Sequence, residues 1–223
     1  MKKFVRLLSA VSLFAFVTSC EQELYDKGDS EYSLMRADFV EAFVDNDKQV
    51  GYVVTDDDER LQLTAPYTAQ WIQRPDTTYR AVLYYNKVGE KAEAIALSRV
   101  STTQIRKPGE FKSGDKTDPL GMESVWLSGN RKYLNLCLIL KTGAVEDEKV
   151  TQTLGIIGDT IVVDDGGRRT YQLRVFHNQG GVPEYYSQRV YFSVPLEELE
   201  VDSLRLSINT YKGVVNKGFR LSR

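Results

Sequence analysis

His177 is the single histidine in this 223-residue chain, so any serine–histidine or cysteine–histidine nucleophile would have to use it as its base. It falls in the alternating run Tyr171 to Asn178, on the face shared by Tyr171, Leu173 and Val175, which predicts a structural or surface role for it. No Gly-x-Ser-x-Gly elbow accompanies it. Cys137 lies inside Leu134-Asn135-Leu136-Cys137-Leu138-Ile139-Leu140 and reads as a small buried apolar side chain. There is no Cys-x-x-Cys and no second histidine, so metal-ligand spacing is missing. Carboxylates are abundant, but paired acids must face each other across a cleft to do glycoside chemistry. Asp56-Asp57-Asp58-Glu59 and Asp164-Asp165 sit where hairpin turns are expected, and solvent there keeps acids ionised. Asp45-Asn46-Asp47 lacks the glycine and distal glutamate of a calcium loop, and no glycine-rich phosphate loop precedes a helix. The expectation is no catalytic set, no metal and no cofactor. What remains able to recognise something is aromatic: Trp71, and the pair Tyr185-Tyr186 beside Gly180-Gly181, where adjacent strand residues face opposite sides.

Where these residues would work is set by the first twenty. Lys2, Lys3 and Arg6 precede an apolar run from Leu7 to Val17, too short to span a bilayer and shaped like a signal peptide. Val17-Thr18-Ser19-Cys20 resembles the bacterial lipobox, which implies cleavage after residue 19 and acylation, palmitate included, at Cys20. Residues 20–33 are polar and acidic and read as a tether. An acidic start after the lipid cysteine is similar to the export signal of surface lipoproteins, so either face of the outer membrane is open. With Cys20 lipidated, Cys137 has no partner for a disulfide. The chain is net −2 and loses only basic residues with the leader, so nucleic acid is excluded as a partner.

The rest alternates short β-type runs with turn chemistry. Strands are expected over 37–44, 50–55, 60–64, 79–85 and 93–100, with a long connection between the third and fourth that holds Trp71. That is the count of an OB-type barrel, with Val53, Leu61, Leu63, Val82, Ile95 and Leu97 inside and Trp71 over one mouth. An open meander is the alternative. Residues 106–121, with Pro108, Gly109, Gly114 and Pro119 around an isolated Phe111, read as a linker. From 122 about seven strands follow, with Tyr133 to Lys141 central, Asp164-Asp165-Gly166-Gly167 as a hairpin turn, and Pro195 to Leu199 as one helical turn. They predict an immunoglobulin-like β-sandwich. The domains are then 34–105 for the barrel and 122–223 for the sandwich, and the fold class is all-β.

Five segments go further. Asp38-Phe39-Val40 and Arg74-Pro75-Asp76-Thr77-Thr78-Tyr79-Arg80 resemble the N-terminal domain of the NigD-like lipoproteins. Tyr185-Tyr186-Ser187, Ser193-Val194-Pro195-Leu196 and Ile208-Asn209-Thr210-Tyr211-Lys212-Gly213 resemble their C-terminal domain, with Lys212 standing where an acidic residue is expected. The resemblance implies an N-terminal OB domain and a C-terminal β-sandwich on a lipid-anchored protein of Gram-negative bacteria. It also implies association with a bacteriocin system, in which immunity is a proposed role, and it supplies no catalytic residues. The expected function is a non-enzymatic envelope lipoprotein that binds a protein partner. A glycan or small-ligand binder using the barrel mouth at Trp71 is the alternative, and a hydrolase built on the acids and His177 a third.

Overall fold

The structure, a computed structural model, describes residues 34–146 and 150–221. The signal peptide 1–19, Val17, Thr18, Ser19 and Cys20 of the lipobox, and the tether 20–33 lie outside the described residues. All described strands belong to the compact unit from Met35 onwards. Among the described residues no helix is long and apolar enough to cross a membrane.

The first five strands, β1 (Arg36–Val44), β2 (Val50–Thr55), β3 (Arg60–Tyr67), β4 (Thr77–Val88) and β5 (Lys91–Arg99), close into a barrel of order β1-β2-β3-β5-β4. β3 runs parallel to β5 and β4 closes back onto β1, the OB arrangement. Turn chemistry drives the first hairpin: Asp45 Oδ1 accepts the N–H of Asp47 at 3.0 Å and of Gln49 at 2.8 Å, and Lys48 takes the left-handed backbone at φ 59° that closes it. That carboxylate oxygen is thereby committed to the backbone.

Period-2 alternation sorts the barrel strands into two faces. Val40, Ala42 and Val44 of β1, Val53, Leu61 and Leu63, Ala81, Leu83 and Tyr85 of β4, and Leu97 fill the interior. Two expected interior residues are elsewhere. Val82 lies between Ala81 and Leu83 and therefore points outwards. Ile95 sits at a bulge in the β4–β5 pairing, where Tyr84 faces Ala96 and Tyr85 faces Ala94, so the extra residue is squeezed out of the inward row. Trp71, on the β3–β4 connection, packs against the barrel core.

Tyr85 is the largest fully buried side chain of the barrel, and its hydroxyl donates to Asp38 Oδ2 at 2.8 Å. Burial first, and the Asp38 carboxylate second, push its phenol up to about 12. The fold therefore favours the neutral form. This stabilisation is complete below pH 10, the ordinary phenol value, and is lost as pH rises from there through about 12. Alkaline ultraviolet titration should show a late phenolate step that Tyr85→Phe removes. A profile identical in the variant would refute the assignment.

The sandwich follows at once. β6 (Ser101–Thr102) pairs with Phe192–Ser193 in one sheet, and β7 (Ile105–Arg106) with Ile156–Ile157 in the other. β8 (Gly121–Leu127), β9 (Tyr133–Thr142), β10 (Thr153–Val163), β11 (Arg169–Asn178), β12 (Tyr186–Pro195), β13 (Ser203–Thr210) and β14 (Gly213–Arg220) complete sheets of order β6-β12-β9-β8 and β14-β13-β11-β10-β7. Leu134, Leu136, Leu138 and Leu140 of β9 face Ile156, Leu173, Val175 and Leu206 across the core. The run Pro195 to Leu199 forms a turn without helix. β14 begins at Gly213, five residues before the expected Gly218, because Tyr211-Lys212 alone turns the chain back from β13.

Residues 106–121 carry packing of their own. Phe111 is buried and stacks on Phe176, with ring centres 3.7 Å apart, on the outward face of β11. A side chain at Gly155 would strike the Phe111 ring, so the glycine makes room for it. Downstream, Asp118 N–H donates to His177 O at 2.9 Å and Leu120 N–H to Asn209 O at 3.1 Å.

Candidate functional site

The two β-modules meet through the faces that alternation turns away from their cores. β1 presents Phe39 and Glu41, and β4 presents Arg80, Val82 and Tyr84. Opposite them stand Asn135 and Cys137 of β9, and Tyr191 and Ser193 of β12. At the centre is Arg80, 5% exposed. Its Nη2 donates to Asp56 Oδ2 at 2.8 Å and to Asn135 Oδ1 at 3.1 Å, and its Nε to Ser193 Oγ at 3.3 Å. The guanidinium carbon lies 4.1 Å from the centre of the Tyr133 ring, a cation–π contact. Asn135 Nδ2 adds a bond to Asp56 Oδ2 at 2.8 Å. Burial raises the Asp56 pKa, against the pull of Arg80 and Asn135. Around this network Tyr133 donates to Glu41 Oε1 at 2.8 Å, and Asn130 donates to Asp58 Oδ1 at 3.0 Å.

Asp56 lines one cleft and Arg80 another. The first has a volume of about 560 Å³. Its walls are the half-buried rings of Phe39 and Tyr84 from the barrel and of Trp126 and Tyr191 from the sandwich. Phe39 meets Trp126 edge-on at 5.2 Å and Tyr191 at 5.4 Å. Glu123 and Cys137 lie in the same cleft. Arg189 donates to both Glu123 oxygens, at 2.7 and 3.0 Å, and its hydrogen bonds hold that carboxyl below the usual range. Burial, and then Glu123, push the Cys137 thiol up, which disfavours the nucleophilic thiolate. Among the described residues four carboxylates line the cleft, Asp38, Asp56, Asp57 and Glu123; Asp38 accepts the Tyr85 hydroxyl and Asp57 is exposed on its turn. Asp56 Oδ2 accepts from Arg80 and Asn135, while its Oδ1, in ion-pair contact with Arg80 at 2.6 Å, is buried and accepts no hydrogen bond among the described residues; Glu123 is held by Arg189.

The second cleft, about 450 Å³, is lined by Trp71, Tyr79, Arg74, Arg99, Thr77 and Thr102 among others. Trp71 Nε1 donates to Leu97 O at 3.2 Å, and the indole meets Tyr79 edge-on at 5.4 Å. Among the described residues no group of three or more His, Cys, Asp or Glu side chains could hold a metal ion.

No protein-family model matches the sequence, and none of the curated proteins does. Solved structures do. A NigD-like immunity protein from Bacteroides caccae superposes with a TM-score of 0.61 at 23% identity, covering 83% of this chain and 96% of that one. The fold is NigD-like. A candidate toxin-related protein from Parabacteroides distasonis gives a TM-score of 0.62 at 18% identity, covering 83% of this chain and 92% of its own. A candidate lipoprotein from Bacteroides fragilis gives 0.55 at 14%, covering 85% and 98%.

Within this NigD-like fold the residues singled out from sequence fall in separate places. Trp71 lines the second cleft. Tyr185 and Tyr186, 81% and 57% exposed, stand just before β12 and at its first residue, at the Thr142 end of β9, and line neither cleft. His177, 1% exposed, is fully engaged. Its Nδ1 lies 2.9 Å from Asp118 O and its Nε2 3.0 Å from the Gln152 amide, which makes Nδ1 the protonated nitrogen, because a carbonyl can only accept. Sequence reasoning missed the aromatic cleft and misjudged Asp56, which is withdrawn from solvent at the junction. One signal was available: on the second face of β9 the stretch Tyr133, Asn135, Cys137 and Ile139 carries no charge before Lys141 at its end, as a stretch covered by another layer requires.

Proposed function

We propose that this chain is a non-catalytic, lipid-anchored protein of the Gram-negative cell envelope, related to the NigD-like proteins, that holds a protein partner in the aromatic cleft between barrel and sandwich. The observation that carries the reading is the convergence of Phe39 and Tyr84 from one module with Trp126 and Tyr191 from the other on a single half-exposed cleft. Aromatic rings in such a setting give up large apolar area at small entropic cost and dominate binding energy at interfaces. The engagement of Asp56, Glu123 and His177 by protein partners favours binding over chemistry. Val17-Thr18-Ser19-Cys20 supports the anchor, and the candidate lipoprotein among the structural neighbours agrees with it. The neighbour described as an immunity protein makes bacteriocin immunity the role to test.

Crosslinking on intact cells with the lipidated protein as bait should capture a partner that a Trp126→Ala bait loses while remaining folded. Equal capture by both baits would refute the cleft as the docking site. Cys20→Ala should lose membrane retention and palmitate labelling, and a labelled variant would refute the anchor. Unchanged bacteriocin sensitivity on deletion would remove immunity.

A second reading, a glycan site at Trp71, is favoured by the second cleft, where two aromatic walls stand beside hydroxyl groups and the exposed guanidinium groups of Arg74 and Arg99.

A further inference from the structure

Carboxylates outnumber cations in this chain, yet the residues lining the Trp71 cleft include Arg74, Arg80 and Arg99 and no acid. The charge of Arg80 is answered by Asp56 at 2.6 Å. Arg74 and Arg99 are exposed, and among the described residues neither has a carboxylate partner. Two uncompensated guanidinium groups therefore open onto one cleft of about 450 Å³, within the range of roughly 300–1,000 Å³ usual for ligand pockets.

The cleft is built, not incidental. Tyr79 Oη accepts the backbone N–H groups of Gln73 at 3.3 Å and of Arg74 at 3.1 Å, so the ring holds the segment that carries Arg74. The Arg99 guanidinium lies 5.6 Å from the centre of the same ring. The indole N–H is spent on Leu97 O, which fixes the Trp71 ring and leaves it to act as an apolar wall. Thr77 and Thr78 bring hydroxyl groups from β4, and Thr102 brings one from β6, so both modules contribute. This position lies away from the β2–β3 face that OB barrels commonly use for ligands.

We propose that this cleft binds a carboxylate-bearing sugar, with Arg74 and Arg99 as its anion contacts. The proposal rests on the glycan reading above and names its ligand class. A guanidinium fork matches a carboxylate with two parallel charge-assisted bonds. The threonine hydroxyls match ring hydroxyls, and Trp71 with Tyr79 supplies the wall on which the apolar side of a pyranose lies. An inorganic anion would use the arginines and leave the aromatic wall idle.

The test is ligand-observed NMR titration of the full-length protein in detergent with D-glucuronate, D-glucose and inorganic phosphate. Glucuronate should bind at least about tenfold more tightly than glucose, the gain expected of a charge-assisted bidentate pair. Arg99→Gln and Arg74→Gln should each remove that preference without changing thermal unfolding, since both side chains are exposed. Glucose binding as tightly as glucuronate would overturn the anion inference and leave the glycan reading standing. Phosphate matching glucuronate would reduce the cleft to a simple anion site and overturn the sugar. Binding of none of the three would overturn both.

Discussion

Arg80→Met should cost the fold about 3–5 kcal/mol, the loss expected when one partner of a buried ion pair is removed. The substitution leaves the Asp56 carboxylate withdrawn from solvent with its main counter-charge gone, and takes a donor from Asn135 and from Ser193. The loss should depend on pH with a definite sign. Burial already raises the Asp56 pKa, and without Arg80 it rises further, so the fold of the variant favours the protonated acid. The penalty is then largest above that raised pKa and shrinks as pH falls through it. Urea unfolding at neutral and at acidic pH reads both effects. A second substitution, Asp56→Leu, should return most of the lost stability, because the pair stabilises little beyond neutralising its own burial. A loss below about 1 kcal/mol at neutral pH would place Arg80 in the class of surface ion pairs and refute the account. What the pair specifies is orientation: Asp56 and Arg80 belong to the barrel, Asn135 and Ser193 to the sandwich, and one geometry brings all four together.

Phe111→Ala should have a comparable effect by a different route. The ring is buried against Phe176 and Ile157 in a cluster separate from the two main cores, and emptying such a site costs roughly 3–5 kcal/mol when the surroundings cannot collapse. Collapse is hindered here because the β-sheet beneath is fixed by its ladder. Residues 106–121 are anchored by Phe111 on this cluster and by Leu120 in the sandwich core, so hydrogen exchange at the amides of Gly114 and Lys116, on the Phe111 side, should accelerate more than exchange within β9. Unchanged exchange across 106–121 would show that backbone pairing alone holds the segment. The same prediction explains Gly155: its missing side chain leaves the space the ring occupies.

Both predictions concern residues that sequence reasoning handled unequally. Strand positions were legible because they depend on local pattern: the alternation of Leu134, Leu136, Leu138 and Leu140 marks β9, and Asp164 closes its hairpin by accepting from Gly166 and Arg168 N–H groups at 2.9 and 3.0 Å. The all-β class, the barrel and the sandwich follow from such signals. Val82 was misplaced because alternation gives two faces without saying which is inside, and Ile95 because a one-residue bulge exchanges them. Phe111 stood out as a lone aromatic in a polar stretch, but its partner, Phe176, is 65 positions away in a strand whose other face is core, and nothing local connects the two.

The sequence by itself determined the strands, their turns, the inward row of most of them, and the residue types from which a leader ending in Val17-Thr18-Ser19-Cys20 is read. Those depend on contacts within a few residues, or on a period of two. Only the tertiary structure decided that Asp56 leaves solvent, that Phe39 and Tyr84 share a cleft with Trp126 and Tyr191, and that Arg74 and Arg99 flank Trp71 and Tyr79. These arise where the outward faces of two modules, far apart in the chain, are pressed together. A carboxylate in a turn has the same local sequence whether water or an arginine stands opposite it, and only packing selects between them.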